Sequence, residues 1–182
     1  DLAGFAAGIV KESDLINGKD IKPNDLVVGL SSSGLHSNGF SLVRKALLDG
    51  KEKDFLFTIP QGCEEPLWQL LLTPTKLYVR PALKAASTGV VKGMAHITGG
   101  GLEENIARIL PKGLKLQLDF EAWTPGPVFS LIREAGVPEE EMRRVFNLGI
   151  GYVFVVAPEG LEKLVTTLEG EGETPLLIGE IF

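Results

Sequence analysis

Two stretches of glycine and small polar residues, each with one histidine, have the clearest capacity for chemistry in this sequence. Residues 31–39 read Ser-Ser-Ser-Gly-Leu-His-Ser-Asn-Gly, and residues 96–101 read His-Ile-Thr-Gly-Gly-Gly. The chain has only these two histidines, His36 and His96. Each stretch follows an apolar run and precedes an amphipathic run, which predicts a strand, a glycine-rich turn and a helix in that order.

Junctions of this kind can bind an anion. Backbone N–H groups converge at the turn, the helix dipole favours negative charge, and glycine lets the backbone approach a ligand closely. Neither stretch is a GxGxxG dinucleotide motif, and neither is a Walker phosphate loop, because no Gly-Lys-Ser/Thr follows. Two interpretations of the first stretch stay open, an anion site or an ordinary turn capped by Ser37 or Asn38.

Three further positions have both a structural and a functional interpretation. In residues 71–78 two threonines flank Pro74, and a lysine and a tyrosine follow. Thr75 is either the N-cap of a new helix or, with Lys76, part of a cleft wall. His96 is either a core histidine whose ring nitrogens are hydrogen-bonded or a residue of the site.

The hydrophobic pattern places strands and helices around these stretches. Predicted strands cover residues 3–10, 26–30, 90–98, 114–120, 152–157 and 175–182. One predicted helix begins near residue 39, others cover 64–72, 80–87, 102–110 and 128–135, and two more begin at residues 136 and 158. We therefore expect a single domain over residues 1–182, of the α/β class (α+β mixed), with a mixed sheet of about six strands and helical cover.

Composition limits the classes of function. The net charge is −6 and no basic stripe is present, which argues against nucleic acid as a partner. No apolar run reaches membrane-spanning length and no signal peptide is visible, so we expect a cytoplasmic protein without a membrane partner. Cys63 is the single cysteine, which favours a buried or incidental thiol and, with two separated histidines, argues against a metal site in this chain.

Four motifs occur in the order and with the spacing of a known family. They cover residues 32–44, 72–76, 95–105 and 147–151. Together they closely resemble the C-terminal domain of the phosphoribosylformylglycinamidine cyclo-ligase (aminoimidazole ribonucleotide synthetase) family over essentially the whole chain. The sequence begins with Asp1 and enters a strand-like run at once, so we expect it to be a piece of a longer protein.

The resemblance implies a fold and a reaction. The fold would be a three-layer α/β/α sandwich on one side of an active-site cleft. The enzyme would use ATP and Mg²⁺ to close formylglycinamidine ribonucleotide to aminoimidazole ribonucleotide in purine synthesis. It would be a homodimer joined through N-terminal domains, and the N-terminal half, absent here, would hold most of the ATP and Mg²⁺. We therefore expect this fragment alone to be inactive.

Under the same resemblance the two junctions would open into one hollow and hold a substrate or nucleotide phosphate. Such chemistry depends mainly on positioning and charge stabilisation, so glycine, serine and backbone N–H groups suffice. His36 is the candidate for acid–base catalysis or for donation to an anion. The predicted binding residues are Ser33, Gly34, His36, Ser37, Asn38, Gly39, Thr98, Gly99, Gly100 and Gly101. The predicted cleft-wall residues are Thr75, Lys76, His96 and Asn147.

Two other functions remain open from the sequence. One is a non-catalytic domain that binds phosphate-containing ligands or nucleotides. The other is a sister activity in the same superfamily, such as an amidotransferase or a small-molecule kinase. The Ser-Ser-Gly-x-His-Ser-Asn-Gly form of the first stretch argues against a sister activity.

Overall fold

The computed structural model describes residues 4–182, in which the chain forms five β-strands and seven α-helices. The strands are β1 (Leu26–Ser31), β2 (Val91–His96), β3 (Leu116–Leu118), β4 (Ile150–Val156) and β5 (Leu176–Ile181). The helices are α1 (Phe40–Val43), α2 (Leu67–Leu72), α3 (Val79–Ser87), α4 (Gly101–Ala107), α5 (Pro127–Glu134), α6 (Glu139–Val145) and α7 (Leu161–Glu169). A π-helical turn, Arg44–Leu48, continues α1.

The strands form one sheet in the order β2-β4-β1-β5-β3. All four neighbouring pairs within this sheet are antiparallel. Because β4 lies between β1 and β2 and opposes both, β1 and β2 run in the same direction. Their C-terminal ends therefore lie at the same edge of the sheet, and both glycine stretches follow there.

Helices cover both faces of the sheet. Strand positions alternate between the faces, so Val27 packs with α4 whereas Val28 packs with α3 and α7. The predicted three-layer α/β/α arrangement is confirmed. A third apolar cluster joins α1, α2, α5 and α6, with Phe129 and Phe146 fully buried at its centre. This cluster supports the chain around residues 35–43.

The structure corrects two features of the predicted sheet. It has five antiparallel strands rather than about six in a mixed arrangement. The predicted strand over residues 3–10 is absent from the described residues 4–10, and residue 3 lies outside them. Apolar periodicity indicates a tendency to form a strand, but a strand is stable only where another strand supplies hydrogen bonds. Whether neighbouring strands are parallel or antiparallel depends on how the chain connects them.

A buried ion pair links the start of β1 to β2. Asp25 is 2% exposed, and Lys92 Nζ lies 2.6 Å from its Oδ1 and 2.8 Å from its Oδ2. The Lys22 N–H also donates to Asp25 Oδ2, at 2.7 Å. The carboxylate is therefore fully engaged within the fold.

Candidate functional site

The two glycine loops lie against each other beyond the ends of β1 and β2. The ring centroids of His36 and His96 are 6.2 Å apart. A β-carbon built on Gly99 would lie 3.5 Å from Asn38 Oδ1. Residues 31–39, which we call the first loop, and residues 97–101, which we call the second loop, therefore form one continuous surface.

The connection between α2 and α3 borders the first loop. Ser33 Oγ donates to the carbonyl of Pro74 at 2.7 Å, and the hydroxyls of Ser37 and Thr75 are 3.3 Å apart. The next residue, Lys76, forms an ion pair of 2.5 Å with Glu173. Thr75 and Lys76 thus lie beside the loop, as a wall of the surface would.

His36 is buried beneath the loop rather than exposed on it. It is 4% exposed and adopts a φ of +57°. Its Nε2 accepts the N–H of Ser33 at 3.2 Å, so the neutral ring carries its proton on Nδ1, which has no partner within residues 4–182. Burial first, then the nearby His96 and Lys76, lowers the pKa of His36 to about 4. At neutral pH this ring is therefore an uncharged support for the Ser33 peptide.

An aromatic group lies next to His36. The hydroxyl of Tyr78 donates to the carbonyl of Ser31 at 2.7 Å, and the His96 ring stacks on Tyr152 at 6.2 Å. Burial, followed by the charge of Glu173, raises the pKa of Tyr78. A side chain on Gly151 would overlap the Tyr78 hydroxyl and would lie 2.7 Å from His36 Cε1. A glycine is needed at position 151 because the Tyr78 hydroxyl and the His36 ring occupy the space of a side chain. A glycine inside a strand often marks such a close approach.

Asn147 fastens the first loop to the start of β4. This side chain is 3% exposed. Its Nδ2 donates to the carbonyl of Gly34 at 2.9 Å, while its Oδ1 accepts Ser32 Oγ at 3.0 Å and the N–H of Gly149 at 2.8 Å. Asn147 was predicted as a cleft wall, and the structure places it behind the loop instead.

Asn105 of α4 fastens the second loop in the same manner. It is 5% exposed, and its Nδ2 lies within hydrogen-bonding distance of three carbonyl oxygens. These belong to Thr98 at 3.3 Å, Gly99 at 3.2 Å and Gly101 at 2.7 Å. Its Oδ1 accepts the Thr98 hydroxyl at 3.1 Å. The sequence-based prediction missed Asn105, although it lies within a quoted motif.

The predicted site glycines divide into two groups. A β-carbon on Gly39 would overlap Phe146, and one on Gly101 would overlap the carbonyl of Arg143, so these two glycines serve close packing against α6. Gly34 and Gly99 have no contact closer than 3.5 Å at that position. Gly100 has a φ of +100°, which favours glycine. Only part of each glycine pattern therefore faces the open surface.

A cavity of 470 Å³ lies along the first loop. It is lined partly by Ser32–Gly34 and partly by Trp123, Thr124 and Gly149. The indole Nε1 of Trp123 donates to the carbonyl of Leu148 at 2.8 Å, which holds the cavity wall in place. The sequence-based prediction did not include residues 123–124, because nothing in their types marks them as part of a site.

Within residues 4–182, no group of three or more His, Cys, Asp or Glu side chains is arranged to hold a metal ion. No helix in the same range is long and apolar enough to cross a membrane.

These features define a class of protein, an α/β/α domain with an antiparallel sheet. At one edge of the sheet it carries two glycine-rich loops, each held by hydrogen bonds from a buried asparagine. The family follows from comparison with known sequences. Residues 22–182 match the family described as "AIR synthase related protein, C-terminal domain". The chain belongs to this family.

Similar sequences extend over the whole chain. It is 49% identical over 182 residues to a phosphoribosylformylglycinamidine cyclo-ligase from Bacillus subtilis (strain 168). It is 44% identical over 185 residues to a protein of the same name from Alkaliphilus metalliredigens. In both cases the alignment covers 100% of this chain and 52% of the relative. The chain thus spans about half the length of the curated relatives it matches.

Solved structures share the fold at low sequence identity. Phosphoribosylformylglycinamidine synthase II from Thermotoga maritima has a TM-score of 0.56 and 13% identity, covering 95% of this chain and 24% of that chain. A chain of the HypE–HypF complex has a TM-score of 0.56 and 18% identity, covering 90% of this chain and 48% of that chain. At such identities the likeness supports the fold alone.

Proposed function

We propose that this chain forms one wall of the active-site cleft in a phosphoribosylformylglycinamidine cyclo-ligase. The full-length enzyme would use ATP to close formylglycinamidine ribonucleotide to aminoimidazole ribonucleotide, with ADP and phosphate as the other products. The observation that carries the proposal is the 44–49% identity, over the entire chain, to relatives that bear this enzyme's name.

The geometry suits a reaction between phosphate-bearing substrates. The two loops meet at one surface, where Ser37 and Gly99 are exposed and can offer a hydroxyl and an N–H donor. Such donors can hold a phosphate group by hydrogen bonding, without a charged nucleophile.

In this proposal His36 does not act as the catalytic acid or base that the sequence suggested. A proton-transfer group works best with a pKa near the working pH and within reach of the substrate. The pKa of His36 is lowered to about 4, and the ring is buried and bonded to the Ser33 peptide. We assign His36 to the shape of the first loop, with proton transfer left to other groups.

ATP and Mg²⁺ would be bound mostly by the half of the enzyme outside this chain. One structural neighbour, T. maritima PurL, has been solved as a complex with ATP. Residues 4–182 offer no cluster of three carboxylate, histidine or cysteine ligands for Mg²⁺. The present chain would instead contribute loop donors opposite the nucleotide, and the other half would be an obligatory partner, within a homodimer.

The test is turnover by the full-length protein that contains this chain. It should form aminoimidazole ribonucleotide and release phosphate only with both ATP and formylglycinamidine ribonucleotide, and the 182-residue chain alone should form none. A full-length protein that consumes ATP with a different acceptor and leaves this ribonucleotide unchanged would show that the proposal is wrong.

A charge substitution tests the surface itself. In the full-length protein, Ser37→Asp should lower kcat/KM by at least about tenfold, because a carboxylate would repel a bound phosphate. The matched control is Ser87→Asp at the end of α3, which is also an exposed serine and should leave kcat/KM unchanged. Equal activity of the two variants would remove the first loop from the site.

A further inference from the structure

We infer that Asn105 and Asn147 are positioning residues, which set the direction of the peptide groups in the two loops so that N–H donors face the bound anion. The two asparagines are 5% and 3% exposed, and neither side chain lies on the open surface. The Nδ2 group of each asparagine donates to backbone carbonyls of the loop that it supports, and each Oδ1 accepts from a hydroxyl of the same loop. They therefore act on a ligand through the backbone.

The planarity of the peptide group links the asparagine contacts to the direction of the N–H groups. In a trans peptide the C=O of one residue and the N–H of the next lie in one plane and point in opposite directions. Asn105 holds the carbonyl oxygens of Thr98 and Gly99 on the buried side. The N–H groups of Gly99 and Gly100, which belong to the same peptide groups, must then point away from Asn105.

The resulting donors are free to bind. Within residues 4–182, the N–H groups of Gly99 and Gly100 donate to no carbonyl. Gly99 is exposed and Gly100 is half-buried. At the first loop, Asn147 holds the carbonyl of Gly34, so the N–H of Leu35 in the same peptide group points away from Asn147, in a residue that is 1% exposed. Gly100 is the N-cap of α4, and the Asn105 contacts fix the direction of the two N–H groups there.

An asparagine suits this position better than its close relatives. Its amide supplies a donor and an acceptor at once, and each loop bonds to both groups of its asparagine. An aspartate of the same shape would place a carboxylate against the loop carbonyls. Electrostatic repulsion would then favour rotation of the peptide groups, which would turn N–H groups inward and remove them from the ligand.

The test measures phosphate binding and stability together in the full-length protein. Asn105→Asp and Asn147→Asp should each weaken the binding of inorganic phosphate by at least about tenfold in calorimetry, and raise the KM of a substrate more than they lower kcat. Leu164→Ala, in the core between the sheet and α7, is the control, because it lowers the melting temperature without touching a loop. It should leave phosphate affinity unchanged.

Acidification gives a second readout. In Asn105→Asp the introduced carboxyl group would lie beside Arg108, whose Nη1 donates to Asn105 Oδ1 at 3.3 Å, and it regains one hydrogen-bond donor when it is protonated. Phosphate affinity per folded molecule should therefore rise as pH falls in this variant and not in the wild type. If the aspartate variants do not fold, Ser32→Ala serves instead. It removes one partner of Asn147 and should weaken phosphate binding about threefold.

Because the assignment rests on the proposed function, the outcomes must be separable. Suppose that the wild type closes the ring but the aspartate variants bind phosphate as tightly as the wild type or Leu164→Ala does. That result would overturn the positioning role alone. Suppose instead that the wild type binds phosphate tightly, the variants do not, and the wild type closes no ring. That result would overturn the proposed reaction and support the positioning role. Absence of phosphate binding by the wild type would overturn the positioning role.

Discussion

His36 shows how a residue of the expected type can have an unexpected role. A histidine inside a glycine and serine loop is typical of acid–base or anion-binding chemistry. Here the ring is buried, its Nε2 accepts the Ser33 N–H, and its pKa is lowered to about 4. At neutral pH the ring is therefore uncharged and supplies no cation to a phosphate.

The lowered pKa predicts a pH dependence of stability. In the unfolded chain His36 binds a proton near its ordinary pKa of 6.5, but in the folded chain only near 4. The unfolded state therefore binds more protons in this range, and the free energy of unfolding falls as pH drops from 6.5 to 4. His36→Gln should reduce this fall by up to about 3 kcal/mol in urea denaturation.

A second histidine variant is the control for that measurement. His96→Gln should keep most of the pH dependence, because burial is a larger cause of the lowered His36 pKa than the charge of His96. If His36→Gln and the wild type lose stability in parallel over this range, His36 does not titrate as described.

The two groups of glycines differ in what an alanine would do. At Gly101 a β-carbon would meet the carbonyl of Arg143, and the φ of +66° disfavours any side chain. Gly101→Ala should therefore cost at least about 2 kcal/mol of unfolding free energy. Gly99→Ala should cost less than about 0.5 kcal/mol, because only Asn38 Oδ1 lies nearby, at 3.5 Å. Equal costs in guanidinium denaturation would contradict this division.

At the scale of elements, β4 joins the parts of the site. It pairs with β1 on one side and β2 on the other, which brings the loops after those strands together. The segment before β4 contacts the first loop, since Phe146 packs on Gly39 and Asn147 binds Gly34. The relative position of the two loops therefore depends on residues 146–149, which connect α6 to β4.

The Asp25–Lys92 pair provides a test of the packing of β1 and β2. Lys92→Met would leave the Asp25 carboxylate buried without its cation and should cost about 3 kcal/mol. The double variant Asp25→Asn with Lys92→Met should recover most of this cost, because an asparagine can still accept the Lys22 N–H. A double-mutant cycle by thermal unfolding measures the coupling, and strictly additive losses would show that the pair contributes no coupling.

At the scale of the whole molecule, the chain exposes apolar residues at its described N-terminal end. Residues 4–11 form no regular element, and Phe5 and Ile9 are 96% and 103% exposed. The family match begins only at residue 22, whereas the curated relatives align over all 182 residues and are about twice as long. We expect this segment to pair as a strand with the other half of a full-length protein.

Hydrogen exchange tests that expectation. In the full-length protein the amides of residues 4–11 should exchange at least about a hundredfold more slowly than in the 182-residue chain, because a paired strand protects its N–H groups. The amides of β1 serve as the internal control and should be protected in both samples. Rapid exchange of residues 4–11 in the full-length protein would show that the segment stays unpaired.

Much of the element order could be predicted from the sequence. Strands β1, β2, β4 and β5 and the helices between them lie within a few residues of the predicted ranges, because apolar periods mark them and glycine or proline stands near the ends of several. The two glycine loops were also found, since residue types alone mark them. Local pattern is sufficient for such features because neighbours in sequence determine them.

Only the tertiary structure decided how these pieces act together. The antiparallel order β2-β4-β1, the burial of His36, and the roles of Asn105, Asn147 and Gly151 all depend on contacts between separate elements of the fold. A side chain's charge, its partners and the direction of a peptide group follow from what packs around it. The sequence by itself therefore determined where the glycine and serine loops occur, and the fold decided which of their N–H and hydroxyl groups face the surface.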